Sequence, residues 1–174
     1  MNNAPGYALA SRPFNTFSMG FGGRFFRVYQ QGEYLLFITF PGQSKWQLFC
    51  RQFGLLGALI WMLIKKSFER KRAALFQELD SMHPDALMQR DKHNFAVHRM
   101  QFQTQALEPT GFFQRGASAA AWLFSTQEKG ALMLYLPTPE DVGMLLQLMP
   151  QFSPTPLNVK VVWNDAKKRY LKAS

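Results

Sequence analysis

Two periods alternate along this chain. Residues 25–29 (FFRVY) and 34–40 (YLLFITF) are β-branched and aromatic runs separated by Gln30, Gln31, Gly32 and Glu33, a short glycine-containing turn, and they predict a hairpin. In the second run Leu36, Ile38 and Phe40 share one face while Leu35, Phe37 and Thr39 share the other. Both faces are largely apolar, so this strand is expected to be covered on both sides. Pro41 and Gly42 end it. From about residue 44 the period lengthens to that of a helix reaching residue 79. Ile64, Phe68, Leu75 and Leu79 fall on one stripe, with Lys65, Lys66, Glu69, Arg70, Lys71 and Arg72 elsewhere on the cylinder. A second, short helix over residues 86–89 is signalled by His83, Pro84 and Asp85, where proline fits the first turn and the acid suits its positive end.

The pattern then returns to strands, predicted over residues 95–104, 120–125 and 131–136, the last with Leu132, Leu134 and Leu136 facing one way. Thr138, Pro139, Glu140 and Asp141 give an N-cap, a proline at N1 and acids in the first turn. The helix they start should turn Val142, Leu145, Leu146 and Met149 inward and stop at Pro150. A short strand over residues 157–162 and a basic tail from residue 163 complete the chain. Residues 1–23 mix Asn, Pro, Ser and Gly with Phe14, Phe17 and Phe21 without a sustained period, and read as a flexible arm.

These elements imply an α+β fold. One domain over residues 24–162 would hold a small curved antiparallel sheet, a C-terminal packing helix, and a long helical insertion after the first hairpin, residues 44–90. The stretch from residue 84 to 162 (DALMQRDKHNFAVHRMQFQ…GALMLYLPTPEDVGMLLQLMP) resembles the bacterial pleckstrin-homology-like domains, in which strands precede a helix opened by threonine or serine and acids. The resemblance implies a partial barrel closed by that helix, and a role in binding or scaffolding.

The longest apolar stretch, residues 53–64 (FGLLGALIWMLI), runs straight into KKSFERKR at residues 65–72. Twelve residues make about 18 Å of helix against a hydrocarbon core of about 30 Å, too short to span alone. Extension back to Trp46 takes in Arg51 and makes spanning marginal. A core helix, an interfacial helix and a spanning helix all remain open. Charge sharpens the choice. The net charge is +9, and seven of those charges sit in residues 65–72 and 163–172, so an anionic partner is implied. A cationic cluster beside an apolar helix favours an anionic membrane surface or a membrane protein. In that reading Phe53, Leu55, Leu56, Ile60, Trp61 and Ile64 supply apolar contact, and Lys65, Lys66, Arg70, Lys71 and Arg72 bind the anionic partner. The rival is nucleic-acid binding by the basic tail, with Trp163 and Tyr170 stacking and Lys167, Lys168, Arg169 and Lys172 on phosphates.

Catalytic chemistry has little to stand on. Asp91 and His93, with His83, Asp85 and His98 nearby, are the only cluster with acid–base residue types. On an extended strand positions 93 and 98 face opposite sides, and no HxxxH or HExxH spacing exists for a metal. Ser118 completes no GxSxG elbow, Gly20, Gly22 and Gly23 no phosphate loop, and no motif calls for a cofactor. Cys50, the only cysteine, excludes an intrachain disulfide and fits a reducing compartment. Without a charged leader and apolar core at the amino terminus, a cytoplasmic protein is expected, peripherally associated with the inner membrane. The expectation is a noncatalytic binding or scaffold domain.

Overall fold

The computed structural model describes residues 7–8, 14–16, 25–40, 54–110, 119–136 and 138–173. The hairpin forms as predicted: β3 (Phe25–Gln31) and β4 (Tyr34–Phe40) pair antiparallel around Gly32, whose φ of 54° is the left-handed conformation a tight turn requires. Before it, β1 (Tyr7–Ala8) pairs with β3, and β2 (Phe14–Thr16) pairs with both β3 and a later strand. Part of the expected arm is thus sheet.

Helix α1 (Gly54–Ser81) and helix α2 (Pro84–Gln89) follow. The expected start of α1 at residues 44–53 lies outside the described residues. His83 caps α2, its ring nitrogen accepting from the Asp85 N–H at 3.4 Å. The single strand expected over residues 95–104 is instead two. β5 (Phe95–His98) pairs with β4, a 3-10 turn spans Arg99–Gln101, and β6 (Phe102–Glu108) pairs with β7 (Ala120–Thr126). The turn is fixed by a capping box in which the His98 N–H donates to Gln101 Oε1 at 2.8 Å and the His98 ring accepts from Met100 N–H at 3.3 Å. β8 (Gly130–Leu136) follows β7.

Helix α3 (Pro139–Phe152) opens on the predicted N-cap, Thr138, which forms a capping box with Asp141. The Asp141 N–H donates to Thr138 Oγ1 at 3.3 Å, and the Thr138 N–H donates back to Asp141 Oδ2 at 3.0 Å. The helix does not stop at Pro150. Proline there forfeits only its own N–H bond, while the Ser153 N–H still donates to Met149 O at 3.0 Å and Phe152 is buried edge-on against Phe102. The last expected strand divides into β9 (Asn158–Val159), parallel to β6, and β10 (Val161–Asn164). The basic tail is a correction too: β11 (Arg169–Lys172) pairs with β10 across a turn in which the Lys167 N–H donates to Asn164 Oδ1 at 2.8 Å.

The main sheet runs β5-β4-β3-β2-β8-β7-β6-β9, with β1 beside β3. Four strand spacings separate β4 from β7, roughly 19 Å along a flat sheet. Yet the Phe37 ring of β4 lies 5.8 Å from Phe124 and 6.3 Å from Trp122 of β7. The sheet therefore curls until its two halves face each other, although among the described residues β5 and β9 remain end strands and no barrel closes. Phe26, Val28, Leu35, Phe37 and Val97 from one half meet Phe102, Trp122, Phe124, Leu134 and Leu136 from the other. Val142, Leu145, Met149 and Phe152 of α3 complete this core. Leu146 packs at its edge and Leu132 beside it. On the opposite face of the hairpin Tyr29, Leu36, Ile38 and Phe40 are covered by Leu79 of α1 and Leu87 of α2. β4 is thus buried on both faces, as its two apolar faces predict. The architecture is α+β with a largely antiparallel sheet.

Candidate functional site

The helical insertion meets the sheet at a polar seam inside an apolar face. Alternation along β3 turns Arg27 and Tyr29 toward α1, into the cluster of Leu36, Ile38, Phe40 and Leu79. A guanidinium buried to 4 % exposure there needs a counter-charge, and Asp80 supplies it. Arg27 Nε donates to Asp80 Oδ1 at 2.9 Å and Nη2 to Oδ2 at 2.7 Å, the bidentate fork that suits a carboxylate. The Tyr29 hydroxyl donates to the same Oδ1 at 2.8 Å. Burial, and then the hydrogen bond to the Asp80 carboxylate, push the Tyr29 phenol well above its ordinary value of 10.0.

Arg72 enters this seam from about two helical turns before Asp80. Its guanidinium lies 5.4 Å from the Phe40 ring centre and 5.3 Å from that of Phe76, and the Arg27 guanidinium lies 4.4 Å from the same Phe76 ring. Burial, and secondarily the charge of Arg27, hold the Arg72 pKa below the ordinary arginine value. The side chains that fix α1 to the sheet, Arg72, Leu75, Phe76, Leu79 and Asp80, belong to its last ten residues. Back from Arg72 to Gly54 the same helix extends about 27 Å.

On that leading part Phe68 is half-buried and the other described side chains are exposed. Met62 is 69 % exposed, and Lys66 and Arg70 are exposed at successive i, i+4 positions. These three form one i, i+4 row, roughly 100–180° around from Leu75 and Leu79, with Met62 about five full turns before Asp80. Lys71 is exposed at the flank. Of the remaining residues predicted to touch a membrane or partner, Leu55, Leu56, Ile60, Trp61, Ile64 and Lys65 fall on α1 with side chains outside those described, and Phe53 lies outside the described residues. Among the described residues no helix is long and apolar enough to cross a membrane.

The acid–base candidates do not converge. The His93 N–H and its ring Nδ1 both lie 2.8 Å from Asp91 Oδ1, a local turn whose backbone hydrogen bond, followed by the ring contact, lowers the Asp91 pKa. His98 lies 3.3 Å from Glu33 and its ring stands edge-on to Tyr34 at 4.9 Å. His83 pairs with Asp85 at 3.3 Å. Each histidine serves its own turn, and among the described residues no three His, Cys, Asp or Glu side chains are grouped to hold a metal.

The basic C-terminal residues lie on the β10–β11 hairpin. Trp163 and Tyr170 face each other across it at 5.1 Å, with the Trp163 indole N–H donating to Asp165 at 3.1 Å. Burial, aided by the charge of Glu140, raises the Tyr170 pKa. Lys168 lies 3.8 Å from Asp165, and Lys160, just before β10, pairs with Glu108 at 2.6 Å. The rings that would stack on bases are thus turned to each other.

Sequence reasoning assigned no role to Arg27, Tyr29, Phe76 or Asp80. The signal available was an arginine inside an apolar strand, which demands a buried partner but does not say which. Compared with protein-family models, curated proteins and solved structures, the chain matches none.

Proposed function

We propose that this protein is a noncatalytic docking module with a pleckstrin-homology-like body, held at the inner, anionic face of a membrane by the leading part of α1. A curled sheet packed by a helix that opens on a threonine–aspartate capping box supports that reading of the body. The single observation that carries the docking role is the row Met62, Lys66 and Arg70, exposed on the part of α1 that precedes its sheet-bound last ten residues and directly continuing the apolar run. An interfacial helix needs apolar residues and cations exposed together on a stretch that the rest of the protein leaves uncovered. The seam at Arg27, Asp80 and Arg72 holds the helix at one angle to the body, so what the body binds is presented at a fixed orientation. Anionic lipid or an acidic membrane protein is the partner class, and the body acts as a scaffold.

Vesicle co-sedimentation tests this. Each cation near an anionic surface contributes about 1 kcal/mol, so Lys66→Gln, Arg70→Gln and Lys71→Gln together should weaken binding to phosphatidylserine vesicles on the order of a hundredfold at low salt. High salt should imitate the triple variant. Equal binding to uncharged vesicles rejects the electrostatic part. No vesicle binding, with salt-resistant duplex binding lost on removing residues 164–174, replaces the reading with the nucleic-acid one.

A further inference from the structure

We propose that the β10–β11 hairpin is a second membrane contact of this protein, a cationic wedge whose outer face enters the interface of an anionic bilayer. The proposal rests on the membrane-docking reading of α1 and adds an independent point of attachment to it. Cross-strand partners share a face, so the register sorts the hairpin into two sides. Val161, Trp163, Tyr170 and Lys172 lie on one side, where Val161 and Tyr170 join the core and the two rings face each other. Val162, Leu171, Asn164 and Arg169 lie on the other. Val162 is 53 % exposed there, opposite the half-buried Leu171. Cations surround this apolar pair. Lys167 and Lys168 are exposed in the connecting turn, and Lys172 at the end of β11. Lys168 lies 3.8 Å from Asp165, but both side chains are mostly exposed, and water weakens such a pair. Among the described residues Lys167, Arg169 and Lys172 have no ion-pair partner.

Two observations point past an ordinary solvated turn and choose the partner. Lys168 holds a φ of 47°, the left-handed conformation that glycine adopts freely and a β-carbon resists. A cation therefore stands at the tip against the preference of its own backbone, which is expected where the charge itself is used. The exposed apolar contact is aliphatic, while Trp163 and Tyr170, the rings able to stack on bases, are turned to each other. Aliphatic carbon flanked by unpaired cations fits the boundary between acyl chains and headgroups. There the carbon enters the apolar layer, and the ammonium and guanidinium groups meet lipid phosphates.

Co-sedimentation with phosphatidylserine vesicles tests the hairpin through two single variants, Lys168→Gly and Val162→Thr, each with its melting temperature. Lys168→Gly gives the turn the residue its backbone favours. It should melt higher than wild type and yet bind vesicles about fivefold more weakly, the share of one cation at an anionic surface. Val162→Thr keeps the shape and the strand preference of valine but replaces a methyl by a hydroxyl. It should melt as wild type does and bind about fivefold more weakly. An environment-sensitive label at Val162→Cys in a Cys50→Ser background should shift to the blue on these vesicles. Vesicle binding that neither variant changes, with no shift at position 162 while a label at Met62→Cys shifts, overturns the hairpin contact and leaves the α1 reading standing. Weaker binding matched by lower melting temperatures in both variants overturns it too, since the loss then reports the fold. A wild type that binds no vesicle overturns both readings, and salt-resistant duplex binding lost in Lys168→Gly then assigns the hairpin to nucleic acid.

Discussion

Asp80→Ala should detach the insertion from the sheet and cost about 2–3 kcal/mol of stability. Removing one partner of a buried ion pair typically costs about 3–5 kcal/mol, because the other charge is left buried and uncompensated. Arg27 is the partner left behind, with its side chain only 5 % exposed. Asp80 itself is 41 % exposed, so water reaching its vacated position recovers part of the loss and sets the lower figure. The Tyr29 hydroxyl loses its acceptor as well. Urea denaturation of the wild type, Asp80→Ala, Tyr29→Phe and the double replacement Arg27→Met with Asp80→Leu separates the contributions. Tyr29→Phe removes one hydrogen bond and should cost about 1 kcal/mol. The double replacement, which removes both charges, should recover most of what Asp80→Ala loses. Hydrogen exchange should show loss of protection in the last turns of α1 before the rest of the sheet. An Asp80→Ala protein within 0.5 kcal/mol of wild type, or an equally damaged double variant, would refute the reasoning.

Three further outcomes are expected. The Tyr29 phenol keeps its proton in the folded state to higher pH than in the unfolded chain, so stability should fall as pH rises above about 10, and this alkaline loss should shrink in Tyr29→Phe when unfolding is followed across pH. Thr138→Ala removes both hydroxyl bonds to Asp141 and should cost about 1–2 kcal/mol by thermal or urea melts; a change below 0.3 kcal/mol would show that the cap contributes nothing. Asp91→Ala and His93→Ala, each confined to a local turn, should shift stability by less than about 0.5 kcal/mol and leave vesicle binding unchanged, and a folded His93→Ala protein that no longer binds would contradict the assignment of this pair to a local turn alone.

What could be read in advance was what local pattern determines. The hairpin, the doubly buried β4, the Thr138 cap and the inward leucines of β8 depend on residues a few positions apart, and each is present. The errors arose where a non-local or side-chain-specific interaction overrode pattern. Residues 95–104 alternate well enough for one strand, but His98 and Gln101 cap each other and send the chain to the far half of the sheet. Pro150 is tolerated because burial of Phe152 outweighs a single lost hydrogen bond. Charge disguised the C-terminal hairpin as a tail, although Val161 and Tyr170 reach the core. The seam was hidden for the same reason: Arg27 and Asp80 are 53 residues apart, and Arg72 was grouped with the solvated cations although its side chain lies on two rings.

The central claim is that the leading part of α1, and not its sheet-bound end, enters a membrane interface. An environment-sensitive fluorophore at Met62→Cys, compared with the same label at the exposed Glu78→Cys in a Cys50→Ser background, tests it most directly. With anionic vesicles the label at position 62 should shift to the blue and gain intensity, the label at 78 should not change, and salt should reverse the effect. An unchanged label at position 62, or equal shifts at both positions, would contradict the account.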